Sequence, residues 1–392
     1  MLPSFNRLNR SINSVPVWLV FCSLAVLWLA VQIYFFQRLG IKLVPDSTVR
    51  YIPYANFIVK TGQLGESQEN RYILYILFLA FFVKLKLGLG AAVLAQIAAS
   101  GIACILLFHS VRNLTDGNRL MAFAATVFFI FWKDVQYFNV YILTESLFTS
   151  SILFVIYPLT KGNSSKHYRT SFMLSLIPTL LRPNGFIVML GIIACWCYSY
   201  RHILQLHKKA IIFSFIAAFG LLLFILDTYL LTTFQIVETY ARGEIIYASS
   251  IYAVRAEHFV LPAEKSSPIL RILFFILLNP VFFAKIFFLK LIIFICYIKP
   301  YYSLLHNLSI ICFFYPLYLF ASYFILKGKA LALKAFVLTV FLLQAIIVAM
   351  TSEDWDSRFI IPLLPILMIF GITGLYEFIK KKESTPPRPA AL

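Results

Sequence analysis

Apolar runs long enough to cross about 30 Å of hydrocarbon recur from Val15 to the C-terminal region of this chain, and nothing else in the sequence narrows the fold as much. Such runs read as membrane helices. Aligning them with the charged breaks gives spans near 15–36, 89–110, 120–137, 141–160, 170–182, 184–200, 210–233, 304–326, 331–351 and 358–379, about ten in all. A cleaved leader would supply one short run and stop, so Val15 to Phe36 reads as a retained span. Composition agrees: 61% of the 392 residues are hydrophobic, 13% are charged and the mean hydropathy is +0.86, which excludes water as the main solvent.

The charge pattern then sets orientation. With 34 Lys+Arg against 16 Asp+Glu the net charge is +18. In a soluble protein that excess would suggest nucleic acid; here the cations flank spans and mark the cytoplasmic side, so nucleic acid is not an expected partner and membrane lipids are. Arg7 and Arg10 place the N-terminus inside, and Lys380, Lys381 and Lys382 do the same for the C-terminus. The breaks 112–119, 161–169, 201–209 and 327–334 fall on the same side. Parity requires the two further apolar runs, Tyr72 to Leu87 and Ile269 to Ile298, not to cross. They read as helices on or in the outer leaflet, with Lys84, Lys86, Lys285 and Lys290 snorkelling toward phosphates. The six cysteines lie in or beside apolar stretches and suggest neither disulfides nor zinc.

The expected architecture is therefore an all-α polytopic bundle: one domain over 1–383 with large outer loops at 37–88 and 234–303, and a disordered cytoplasmic tail at 384–392. Most acids fall outside, among them Asp46, Glu66, Asp134, Glu145, Glu238, Glu244, Glu257, Glu264, Glu353 and Asp354, while Asp227 lies within a span. Acids contribute little to orientation, so their gathering on one face suggests chemistry there.

Asp46 follows the first span in Val44-Pro45-Asp46-Ser47-Thr48, ahead of an apolar helix that ends near Gly62. A carboxylate there is suited to taking a proton from a hydroxyl delivered at the membrane surface, and it is equally suited to capping the helix that starts at Ser47. Glu145, in Leu143-Thr144-Glu145-Ser146, opens the fourth span; binding a divalent metal, orienting an acceptor and favouring the helix dipole are all open to it. Arg182 and Arg358 each stand at an outer turn near Pro, where a guanidinium clamps phosphate or snorkels; Arg50 and Arg71 are the nearest further cations. The mixed charges and tyrosines of 238–258, including Arg255, Glu257 and His258, suit a sugar site and an ordinary loop alike.

Taken together and in order, Pro45-Asp46-Ser47-Thr48, Glu69-Asn70-Arg71, Leu143 to Phe148, Leu181-Arg182-Pro183-Asn184-Gly185 and Ser357-Arg358-Phe359 resemble the GT-C glycosyltransferases, in particular the branch of lipid A aminoarabinose transferase and the protein O-mannosyltransferases. The resemblance implies a polyprenyl-phosphate sugar donor, a glycan, lipid or protein acceptor, and a bacterial inner membrane. It implies Asp46 and Glu145 as catalytic acids, and Arg50, Arg71, Arg182 and Arg358 around the substrate. A polysaccharide polymerase and a transporter or flippase of lipid-linked sugars are the competing readings. Transport is the weaker one, because Asp227 is the only acid inside a span. The topology predicts that Ser67→Cys and Ser266→Cys, in a cysteine-free background, react with an impermeant thiol reagent from outside while Ser165→Cys does not; labelling of Ser165→Cys alone would overturn the orientation.

Overall fold

In an apolar surrounding every peptide N–H and C=O needs a partner, and the apolar runs of this chain meet that demand by folding as helices. The computed structural model describes residues 15–65, 68–202, 208–231, 236–247, 249–255, 259–263, 267–328, 330–352 and 355–384. The readings of Arg7, Arg10, Glu66, Ser67, Glu257, His258, Glu264, Ser266, Glu353 and Asp354, and of the tail beyond Ser384, lie outside those residues. The main helices are α1 (Val17–Leu39), α2 (Ile52–Thr61), α3 (Ile73–Lys84), α4 (Gly88–Leu114), α5 (Arg119–Phe131), α6 (Glu145–Thr160), α7 (Ser165–Leu181), α8 (Phe186–Ser199), α9 (Lys208–Ile225), α10 (Pro268–Leu278), α11 (Pro280–Cys296), α12 (Leu304–Lys327), α13 (Leu331–Met350) and α14 (Leu364–Ser384). Extended structure among the described residues is limited to isolated bridges, Lys42 with Tyr141 and Glu244 with Ala253.

Among the described residues five stretches are long and apolar enough to cross a bilayer: α1, α4, α12, α13 and Ile361–Glu383, which covers nearly all of α14. The molecule is thus an all-α bundle of membrane-spanning character. Of the stretches expected as spans, 120–137, 141–160 and 184–200 are shorter as helices, α5, α6 and α8 having 13, 16 and 14 residues, while 170–182 becomes α7, which starts earlier, at Ser165, and has 17 residues. At 1.5 Å per residue they extend roughly 20–26 Å. Between α5 and α6 the chain makes a single α-turn (Lys133–Gln136), a 3₁₀ turn (Tyr137–Val140) and an irregular stretch at 141–144, and between α7 and α8 Arg182 leads into the 3₁₀ turn Pro183–Gly185.

α14 is the central element: 72% of its most apolar stretch is buried inside the protein, against 17% for α1. It packs on α12, where Gly371 and Gly374 face Leu317 and Phe320 so closely that a Cβ on Gly374 would lie 1.9 Å from the Phe320 carbonyl. Small residues let membrane helices approach in this way. Gly191 does the same for α8 against Phe336 and Val340 of α13, and α6 packs between α4 and α7.

One end of the bundle gathers the basic breaks. Lys380 pairs with Asp116 at 2.7 Å, Arg119 donates to the Val15 carbonyl, Asn113 donates to Thr160, and Tyr168 bonds Asn163 and Ser199. The run 269–298 is helical as expected but broken, with α10 and α11 meeting at 108° across Asn279. The Asp227 carboxylate accepts the Ile269 N–H at the start of α10. Lys290 departs from its expected snorkelling. It is fully buried, donates to the Thr351 carbonyl at the end of α13, and lies 4.1 Å from the Tyr240 ring centroid, because α11 folds back beneath that carbonyl end.

The α12–α14 approach makes a stability prediction. Gly374→Ala should destabilise the solubilised protein by about 1–3 kcal/mol through overpacking, seen as a lower melting temperature. Gly220→Ala, with nothing within 4 Å of the added Cβ, should be neutral or slightly stabilising.

Candidate functional site

A proline at the start of a helical turn pre-sets the backbone for it, and Pro45 does so for the wide turn Asp46–Tyr51 that leads into α2. The turn begins at Asp46 itself and no side chain caps it, so the capping role that the sequence left open to Asp46 is not used. Its carboxylate turns to cations instead: Oδ1 lies 3.3 Å from Arg50 one turn on, and Oδ2 accepts from Arg358 at 2.8 Å. α2 then ends at Gly62 in the left-handed conformation, as the glycine there suggests.

The second acid comes from the head of α6. Glu145 has no exposed side-chain surface, and its Oε1 accepts from Arg358 Nε at 2.5 Å and lies 3.3 Å from Arg182 Nη1. Arg358 therefore joins the two carboxylates, one from each side of its guanidinium. Arg182 is held where α7 must stop before Pro183, in extended conformation, and it lies between the rings of Phe148 and Phe359 at 5.4 and 5.5 Å. The turn that follows is tight enough that a Cβ on Gly185 would overlap the Pro178 carbonyl at 1.9 Å. Arg182 Nη1 also donates to the Arg358 carbonyl, while its buried Nε has no hydrogen-bond acceptor among the described residues.

Five of the six positions singled out from sequence, Asp46, Arg50, Glu145, Arg182 and Arg358, thus form one network. Arg71 lies in the turn before α3, with Nε on the Gln68 carbonyl. Its neighbour Asn70 accepts from Tyr54 and donates to the Gly65 carbonyl, tying that turn to α2. Tyr51, buried under the network, has its phenol pushed well above the usual range by burial first, then by the negative fields of Tyr72, Glu145 and Asp46, against the opposing field of Arg358. It stays a neutral hydroxyl at any working pH.

Other residues that hold this site carry weak sequence signals. Gln344, a lone amide in α13, accepts from Asn184 and donates to the Phe359 carbonyl, which ties the Arg182 turn to the Arg358 turn. Gln32, Gln96 and Gln136 form a buried network with Asn139, Ser100 and Ser146 that satisfies the irregular segment before Glu145. Beside it, buried Asp134 accepts from Tyr297 and from His306 Nε2 at 2.7 Å. Tyr302 stacks on His306 and bonds Ser357, whose φ of +54° places it in the left-handed region just before Arg358. A polar residue alone in an apolar run was the available signal for Gln344, Gln32 and Gln96; Gln136 stands among Lys133, Asp134 and Asn139 and has no such signal.

Comparison with protein-family models, curated proteins and solved structures finds no match to this chain. The geometry itself makes a prediction. Glu145→Ala leaves buried arginine charge short of a counter-ion and should cost about 3–5 kcal/mol of stability, whereas Arg50→Gln, in a half-exposed pair, should cost less than about 1 kcal/mol. Denaturation of the solubilised variants checks this; equal small effects would show that the pairing does not hold the turns.

Proposed function

We propose that this chain is a membrane glycosyltransferase of the GT-C type. In this reading it crosses a cell membrane, the bacterial inner membrane, about ten times, and transfers a sugar from a polyprenyl-phosphate donor to an acceptor hydroxyl at the outer face. The observation that carries the reading is the meeting of Asp46 and Glu145 on one guanidinium, that of Arg358, across 312 and 213 positions of sequence. Transfer of a phosphate-linked sugar needs a carboxylate for the incoming hydroxyl and cations for the departing phosphate, and both are within one cluster here.

The step balances with these residues alone. The acceptor oxygen bonds to the anomeric carbon as the bond from that carbon to the phosphate oxygen breaks, and the bonding pair leaves with polyprenyl phosphate. The hydroxyl proton passes to the Asp46 carboxylate, which is about a quarter exposed. Arg182, with a free Nε donor, and Arg358 meet the phosphate charge, and fully buried Glu145 positions both arginines. In this scheme the guanidinium groups of Arg182 and Arg358 supply the positive charge at the phosphate.

The break between α10 and α11 is the feature that a flippase would use, since transporters bind cargo at interrupted helices. Asn279 at the break, however, is engaged with the main chain of Val260 on both sides, and the charged network lies elsewhere, at helix ends. The transferase reading is the better supported.

The test is in vitro transfer from a defined polyprenyl-phosphate sugar by solubilised protein. Asp46→Asn keeps size and hydrogen bonding but accepts no proton, so turnover should fall by roughly 10²–10⁴-fold at normal protein level. Arg182→Lys should weaken donor binding by about 1.5–3 kcal/mol, since it keeps charge and loses the planar fork. Near-wild-type turnover of Asp46→Asn would remove Asp46 from the base role.

A further inference from the structure

Exposed aromatic side chains on loops have little to hold them together, yet three are gathered beside the Arg358 turn. Tyr252, Tyr301 and Trp355 come from separate parts of the chain, and their ring centroids lie 5.7 Å (Tyr252 to Tyr301), 6.0 Å (Tyr252 to Trp355) and 4.7 Å (Tyr301 to Trp355) apart. Trp355 is 37% exposed and the two tyrosines are partly so, which leaves ring surface open to solvent.

The backbone fixes this group. The Tyr301 phenol donates to the Trp355 carbonyl at 2.8 Å. Tyr252 sits in a narrow hairpin in which Ile245 donates to its carbonyl and Val254 donates to that of Gly243. Gly243 has a φ of +66° and passes so close to Val254 that a Cβ would lie 1.9 Å from the carbonyl oxygen, so the crossing requires glycine. Trp355 shares its turn with Arg358, and Ser357 between them is bonded to Tyr302. Hydrogen bonds thus tie Tyr301 and Tyr302 to the turn that carries Trp355 and Arg358, and Tyr252 meets that turn through its ring.

Aromatic residues also line membrane interfaces, where their polar tips reach the headgroups. Tyr301 does the opposite by committing its hydroxyl to a carbonyl of the protein and leaving ring surface outward. A pyranose fits such a surface: its axial C–H groups present positive edges to the negative ring face, and its hydroxyls extend past the rim toward charged partners such as Arg358.

We propose that Tyr252, Tyr301 and Trp355 form a stacking platform for a sugar ring of the acceptor, which makes the acceptor a glycan rather than a protein or a simple lipid. The assignment of the sugar to the acceptor rests on reading the adjacent network as a glycosyl-transfer site. The platform itself is tested without turnover. Full-length protein in nanodiscs is applied to an array of neutral, amino-sugar and uronic-acid oligosaccharides. Wild type should bind at least one class, Trp355→Ala and Tyr252→Ala should each weaken that binding by about three- to tenfold, the scale of one aromatic contact, and Trp355→Phe should restore most of it. In the transfer assay Trp355→Ala should raise the acceptor KM and leave the donor KM and kcat unchanged. No glycan binding by wild type, or wild-type binding by both alanine variants, overturns the platform. Should Trp355→Ala fail to fold, Tyr252→Ala decides alone. Sugar transfer to a peptide or simple lipid with an unaltered acceptor KM would keep the transferase and remove the platform. Platform-dependent glycan binding by a protein that transfers no sugar would do the reverse.

Discussion

A carboxylate with no exposed surface in an apolar bundle is tolerated only when its charge is matched, and Glu145 imposes that condition on everything around it. It takes Arg182 from the end of α7 and Arg358 from the loop before Ile361, and through Arg358 it reaches Asp46 at the exit of α1. One ionic requirement thereby sets how the ends of α1, α6 and α7 meet the entry to α14. Arg50, Arg182 and Arg358 thus stand around Asp46 and Glu145 at one place in the bundle.

The uncharged scaffold answers a second constraint. Trp132–Thr144 is broken into one α-turn, one 3₁₀ turn and an irregular end beside helices that are almost wholly apolar, so peptide groups at its breaks need partners from elsewhere. Gln96 of α4 donates to the carbonyls of Asn139 and Tyr141, Gln136 donates to that of Phe129, and Lys42 exchanges main-chain bonds with Val140 and Ile142. This satisfied, irregular stretch delivers Glu145 at the head of α6 and Asp134 to its own partners. Buried amides far from the charges thus govern where the charges stand.

The arginines and acids were legible because each stands where an apolar run gives way near a proline or a break: Asp46 after Pro45, Arg182 before Pro183, Arg358 ahead of Pro362. Those positions report the ends of elements, and ends that share a membrane side can meet. Hydropathy also gave the helices, but it overstated the lengths of α5, α6 and α8, since apolar residues continue through the short turns beside them, and it missed the polar first turns of α7. Tertiary geometry without a local pattern was not legible. Lys290 reads as a snorkelling cation by spacing, yet the fold-back of α11 brings it beneath the carbonyl end of α13. Asp134 and His306 carry no motif, since their pairing depends on a contact across 172 positions. The Tyr252–Tyr301–Trp355 group likewise exists only once three loops converge.

One flank of α7 is left uncovered by the rest of the bundle. Met173, Leu176 and Leu180 form an exposed apolar stripe on the part of the helix that follows Lys166, His167 and Arg169, and Arg182 stands just past its end. Apolar side chains left open call for an apolar neighbour. In a bilayer the stripe is a place for acyl chains to lie against the protein, one helix end away from the arginines of the network.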